Sequence, residues 1–537
     1  MPVSSKRDIL YVPHICFSRI YRRKTSSSSI RHLHESTAAS DNRTGNLQIS
    51  VRSDNKEEIM KIKEHTLKVG LLPTRRNVTG EFFCNLDVAQ ANKKAVEKAL
   101  KEMKIDYVNI NFLNPEGIIY NGLDAEKVAD YFIAQKVDAV FAPHCNFGTE
   151  DAVAKVGKMV GKPLLLWAIR DESPDSEGNR CTDSQCGIMA TSKVLRQFGV
   201  PFTYMTNCSL DDPAFKRTMD SFLRAAQIVK SMTNLRIGQI GVRPDAFWSV
   251  KCNELQLLEK LGIEVVPVTM IELKERYEAV LKKKEKDIRE LIRHYRKCFD
   301  VTVNDDALMH TAALELAIWD WAGETEVSAI ASNCWGPMRS IGGVASCFVF
   351  SELTDAKLPV VCETDIHGAI TSVIAQASTM WKKASFFADI TIRHPSNDNA
   401  ELFWHCGVFP GSTAGRKKKP QIGVNFDEGR PTVGNFALEE KLPVTLMRMD
   451  CSEDRYSLLI AEGKTVKGPR TKGTYGWIEF KDWPRLEHKV VEGPYIHHVA
   501  GVEEAVAPAL YEACRYMPSI NADLAEPSLD EVLARLR

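Results

Sequence analysis

From Lys68 onward the chain alternates short apolar runs with stretches of helical period, and this alternation constrains the fold more than any other feature. Lys68-Val-Gly-Leu-Leu reads as a strand, Asp87 to Met103 carries apolar residues at helical spacing, Tyr107-Val-Asn-Ile-Asn is a second strand, and Asp124 to Gln135 a second helix. Val137 to Ala142 and Pro163 to Ala168 continue as buried strands. Strands separated by crossover helices pair in parallel, so the pattern predicts a doubly wound α/β unit. A second such unit opens near Leu235 with RIGQIGV, and Gly262-Ile-Glu-Val-Val-Pro is its neighbouring strand. Leu273 to Phe299, dense in Lys and Glu at helical spacing, reads as a solvated or interface helix rather than a nucleic-acid arm.

After about Arg393 the texture changes. Gly and Pro become frequent and the strands are short, as in GVFPGSTAG, VTLMRMD, YSLLIAEG and KGTYGWIEF. That spacing predicts an antiparallel barrel or sandwich, followed by a final helix or two from Gly501. The expected organisation is an N-terminal extension or leader over 1–63, α/β domains over 64–234 and 235–395, and a β-rich domain over 396–537.

Lys plus Arg and Asp plus Glu balance at 70 each, so no global field draws the chain to nucleic acid or an anionic membrane. No apolar run approaches the roughly 20 residues of a membrane-spanning helix. The 14 cysteines include no CxxC pair, and many sit among apolar or helix-forming neighbours, as reduced thiols do. The leading segment differs: between Asp8 and Glu35 there is no acidic residue, while Arg19, Arg22, Arg23, Lys24 and Arg31 flank the run Ser26 to Ser29. That is the composition of an organellar transit peptide or of an unstructured tail, so the expected location is cytoplasmic, or mitochondrion-like if the leader is used.

Chemistry concentrates in Leu358-Pro-Val-Val-Cys-Glu363-Thr-Asp365-Ile-His367-Gly368, an apolar strand ending in two carboxylates at the carboxyl edge of a parallel sheet. Asp365 either caps the following helix or belongs to the site. Glu363, still close to the strand, calls for a metal or a hydrogen-bonding substrate to offset its charge. Ser385-Phe-Phe-Ala-Asp389-Ile-Thr-Ile carries a carboxylate inside an apolar run, and His405 and the pair His497-His498 add nitrogen donors. Such an oxygen- and nitrogen-rich set suits Mn²⁺, Mg²⁺ or another borderline divalent ion. Arg416-Lys417-Lys418-Lys419, in a Gly/Pro-rich loop, reads as a solvated run. Gly238 and Gly241 lack the third glycine of a dinucleotide fingerprint, so no nucleotide cofactor is expected.

These motifs, with KVGLLPTRRN, HCNFGTEDA, SFFADIT, FWHCG and GPYIHH in the same order, resemble the L-fucose/L-arabinose isomerase family from about Lys68 to His498. The resemblance implies two α/β domains and a β-rich domain, and a ketol isomerase that interconverts an aldose and a ketose through an enediol(ate). It implies manganese or another divalent ion held by Glu363, Asp389 and His498, with His497 and His405 as further candidates. Glu363 and Asp389 are the expected acid/base residues, and Arg75, Arg76, Asn146 and Trp404 the expected sugar contacts. The substrate is then a monosaccharide, and the assembly a homo-oligomer such as a hexamer. A sugar-binding homologue without catalysis and an isomerase of an anionic sugar derivative are the competing readings.

Overall fold

The computed structural model describes residues 65–78, 82–415, 419–424 and 429–537. The extension over 1–63 and Arg416 to Lys418 of the basic run lie outside the described residues. Among the described residues, the strands form three sheets.

The first sheet holds Lys68–Leu71, Asp106–Val108, Ala139–His144, Leu164–Ala168 and Thr203–Tyr204, in the spatial order second, first, third, fourth, fifth. All its pairings are parallel. Asn85 takes the Val88 N–H to open the helix Leu86–Glu102, which buries Ala89, Lys93, Val96 and Leu100 on one face. The second sheet repeats the design with Arg236–Ile240, Glu264–Val268, Ala329–Ser332 and Val360–Val361, ordered fourth, third, first, second and again parallel. In both sheets the strand order reverses beside the first strand, which opens a crevice at the carboxyl ends.

The charged stretch read from Leu273 to Phe299 is two helices, Met270–Lys283 and Glu285–Cys298, divided at Lys284. They are not solvated all round: Leu273, Tyr277, Val280, Ile288, Leu291 and Tyr295 form a buried stripe. No helix among the described residues is long and apolar enough to cross a membrane.

The third sheet closes on itself. Phe386–His394, Asn397–His405, Thr474–Glu479, Arg455–Val466, Pro443–Ser452 and His498–Val502 pair antiparallel around a ring. Closure satisfies backbone groups that an open sheet would leave at its edges. Ile520–Glu526 joins Arg455–Val466 in parallel, a strand in a region where the sequence pattern suggested helices alone. Its alternation, INADLAE, is too polar to stand out as a strand; the pairing comes from the exposed edge it covers.

Phe386–His394 follows the last helix of the second α/β unit directly, yet both its neighbours are barrel strands. Asp389 therefore approaches from the barrel and Glu363 from the second sheet. Between them runs the helix Ile366–Ser378, buried along its whole length. Its Ile366, Ala369, Ile370 and Val373 pack with Phe387, Met447, Ala500 and Val502 of the barrel. Gly368 makes this approach possible, because a Cβ there would stand 2.7 Å from the Phe387 ring. Packing of this helix against the barrel brings the two carboxylates together.

Candidate active site

Glu363 is aimed by its backbone. The strand Val360–Val361 ends, and Glu363 and Thr364 both take left-handed φ values, +66° and +58°. For two consecutive side-chain-bearing residues this conformation costs on the order of 1–3 kcal/mol each. It is held by the Thr364 N–H donating to the Ser332 carbonyl (3.1 Å) and the Asp365 N–H donating to the Cys362 carbonyl (3.4 Å). Asp365 then caps the helix by accepting the Gly368 N–H at 2.9 Å. Strain of this kind, stabilised by its surroundings, marks a place where side-chain direction matters.

Asp389 and His498 lie side by side in the barrel wall, as direct partners in the register of two adjacent antiparallel strands. His498 is wholly buried and its ring is gripped from both ends. Nδ1 donates to Asp365 Oδ2 at 2.9 Å, which turns Nε2 toward Glu363 Oε2 (3.1 Å) and Asp389 Oδ1 (3.3 Å). Burial favours the neutral ring, but the carboxylates of Asp365 and Glu363 outweigh it and raise the pKa to about 9. Burial likewise pushes Glu363 upward, and the neighbouring imidazoles His498, His405 and His497 bring it below its ordinary value.

Asp365 plays two parts, cap and anchor. Besides Gly368 and His498 it meets the Arg448 guanidinium through both oxygens, and Arg448 also donates to Asp450 Oδ2 from Nε (3.0 Å) and Nη2 (2.8 Å). His367 Nδ1 lies 2.9 Å from Asp450 Oδ1 and completes the chain. Burial alone would push Asp365 upward, yet Arg448 and His498 hold it far below the usual carboxylate range. Neither Arg448 nor Asp450 stood out in the sequence. Arg448 and Asp450 could have been noticed, since charges at alternate positions of VTLMRMD interrupt an otherwise apolar strand.

Glu363 Oε2, Asp389 Oδ1 and His498 Nε2 are buried and meet only one another, and His405 Nε2 is buried without a hydrogen-bond partner. Buried polar atoms normally have their bonding capacity filled, so a group of this kind suits a polar or charged ligand. Glu363 Oε2 and Asp389 Oδ1, at 3.1 and 3.3 Å from His498 Nε2, make with that nitrogen an oxygen- and nitrogen-rich set that could hold a divalent cation. His498 would hold such an ion through a deprotonated Nε2. His497 is exposed, and its ligand atom falls within 4.8 Å of those of Asp389 and His498. His405 is placed differently. The Cys406 N–H donates to its Nδ1 at 2.9 Å, which leaves the ring proton on Nε2 and presents a donor rather than a lone pair.

The expected sugar contacts divide into two groups. Trp404 stands directly opposite Asp389 in the barrel register, its Nε1 donating to the Lys472 carbonyl at 2.6 Å. Arg75, Arg76 and Asn146 instead meet one another at the crevice of the first sheet, on the loops after its first and third strands. There the Arg76 N–H donates to Asn146 Oδ1 (2.8 Å), Arg76 pairs with Glu150 (2.7 Å), and Arg75 lies over the Tyr120 ring. Asn146 Nδ2 and Arg75 Nε are buried donors without partners, and the adjoining His144, whose Nδ1 donates to the Phe147 carbonyl at 2.8 Å, turns Nε2 in as an acceptor. Over the carboxylate cluster, Phe247 stacks on the His498 ring (6.3 Å between centroids) and meets Trp335 edge-on at 5.2 Å.

Comparison with known proteins gives a consistent picture. The family model for the N-terminal domain of fucose/sulfoquinovose isomerases matches residues 70–233, the stretch that contains the first sheet. The chain is 25% identical over 353 residues to a sulfoquinovose isomerase of Priestia aryabhattai, covering 66% of this chain and 77% of that one. It is 26% identical over 343 residues to a sulfoquinovose isomerase of Alkalicoccus urumqiensis, covering 64% and 76%. A sulfoquinovose isomerase of Clostridium sp. (strain MSTE9) is 24% identical over 313 residues, covering 57% and 68%.

Proposed function

The chain belongs to the fucose isomerase-like family, and on that premise we propose that it is an aldose–ketose isomerase of an anionic sugar derivative, working at the Glu363–Asp389–His498 cluster. The observation that carries the reading is the convergence of two carboxylate oxygens on one buried imidazole nitrogen. The anionic character of the substrate rests on the relatives, whose name specifies a sulfonated sugar.

Moving a carbonyl between C1 and C2 removes a proton from one carbon and returns it to the next. Glu363 and Asp389 each bring a carboxylate to the site for that transfer. Desolvation strengthens every charge interaction in the cluster and keeps water from the enediol. His405 presents its Nε2 proton to a substrate oxygen. Phe247 and Trp335 offer apolar faces for the C–H surface of a sugar. Glu363, Asp389 and His498 would hold a divalent ion, manganese in our reading, which supplies Lewis-acid polarisation of the carbonyl when bound. The test is a panel of neutral and sulfonated aldoses with the chelated protein, before and after Mn²⁺ is restored. Ketose is expected from the sulfonated sugar only with metal present. Equal turnover after complete chelation would refute the metal site, and no ketose from any sugar would refute the isomerase.

We also propose a homo-oligomer, a hexamer in the resemblance. Arg75, Arg76 and Asn146 form a donor-lined crevice in the first sheet, while the carboxylates sit between the second sheet and the barrel. A neighbouring copy would supply such a crevice to the carboxylate site. Light scattering on the active protein should give a multiple of the chain mass, and a fully active monomer would sink the idea.

A further inference from the structure

Beside the carboxylate cluster lie four thiols that its chemistry does not use. Cys334 follows the strand Ala329–Ser332, Cys347 opens the helix Cys347–Asp355, Cys362 follows Val360–Val361, and Cys406 follows His405. All are free cysteines. Cys347 and Cys406 pack side by side in one small apolar cluster. The four differ in access. Cys334 and Cys362 are both buried, whereas Cys406 is partly exposed and packs with Cys347 against Ala345 and Val433. Cys334, Cys347 and Cys406 line a cavity of about 20 Å³ with Trp335, Arg339 and Arg430. That volume admits a molecule little larger than water and excludes a tripeptide thiol. Cys406 Sγ also lies 3.3 Å from His405 Nδ1, and its N–H bonds the same nitrogen, so a displacement of Cys406 is felt by His405.

We propose that Cys347 and Cys406 are a peroxide-reactive dithiol whose oxidation to a disulfide shuts down the neighbouring site. In the first step the Cys406 sulfur attacks hydrogen peroxide, the O–O bond breaks, and Cys406 sulfenic acid and one water form. In the second the Cys347 sulfur attacks the sulfenic sulfur, its S–H proton leaves with the hydroxyl as a second water, and the S–S bond forms. The two thiols together lose two electrons, and the peroxide takes them. Contracting a thiol contact to a bond of about 2.05 Å draws Cys406 toward the helix and takes its N–H from His405.

The test uses the full chain, treated with stoichiometric hydrogen peroxide, alkylated and digested. Mass spectrometry should show Cys347 and Cys406 peptides linked through sulfur, a link removed by dithiothreitol. Isomerase turnover should fall about tenfold or more, the range for disturbing groups that orient a site, and should recover on reduction. Cys347→Ser should keep basal turnover, form no link, and accumulate Cys406 sulfenic acid that dimedone traps. Absence of the link, or a link confined to Cys334 and Cys362, would overturn the assignment whatever the enzyme's reaction proves to be. A complete Cys347–Cys406 link with unchanged turnover would overturn its control of the site.

Discussion

Glu363→Gln is expected to leave the protein folded and to cut turnover by about two orders of magnitude or more, the range for removing a positioned acid or base. The variant keeps the side chain's size, and the left-handed turn that aims it is stabilised by backbone bonds from Thr364 and Asp365 that do not involve the carboxylate. What changes is the charge beside His498 Nε2, at 3.1 Å. That charge has two uses, to bind a cation and to accept a proton, and they respond differently to added metal. If both operate, saturating Mn²⁺ leaves the variant slow while restoring its metal content. Recovery to near the wild-type rate by metal alone would make Glu363 a ligand only and move proton transfer to Asp389. Wild-type turnover without added metal would remove Glu363 from the site.

The two parallel units were legible because their strands are apolar runs divided by helices with clear stripes, as in Leu86–Glu102. The barrel was legible as a change of texture, but its closure was not, since closure depends on Phe386 to Asp389 meeting His498 to Gly501 at long range. Glu363 and Asp389 stood out because a carboxylate in an apolar strand needs an explanation wherever it packs. The second role of Asp365 was hidden for the opposite reason. A helix cap is a sufficient local explanation, and nothing local says that the same carboxylate also reaches Arg448 and His498, 83 and 133 residues away. His405 shows a further limit: its residue type suits a ligand, and only the bond from the Cys406 N–H decides where its proton sits.

Arg448→Met is expected to destabilise the fold by about 3–5 kcal/mol, the cost of removing one partner from a buried ion pair. Arg448 is fully buried and satisfies Asp365 and Asp450 together, so Met fills much of its volume but leaves two carboxylates without their cation. The damage should also reach the site by a specific route. Asp365 is the group that fixes His498 through Nδ1, and an Asp365 that takes up a proton to escape its unpaired charge releases that ring. A urea unfolding midpoint measures the first effect, and Mn²⁺ affinity of the folded fraction the second, with a loss of about 10–100-fold expected for a group that orients a ligand. The double variant Arg448→Met/Asp365→Asn separates them. Neutralising Asp365 removes one stranded charge, so part of the lost stability should return, while His498 remains without its ionic anchor and metal affinity stays low. Metal affinity that recovered with stability would show that Arg448 supports packing alone.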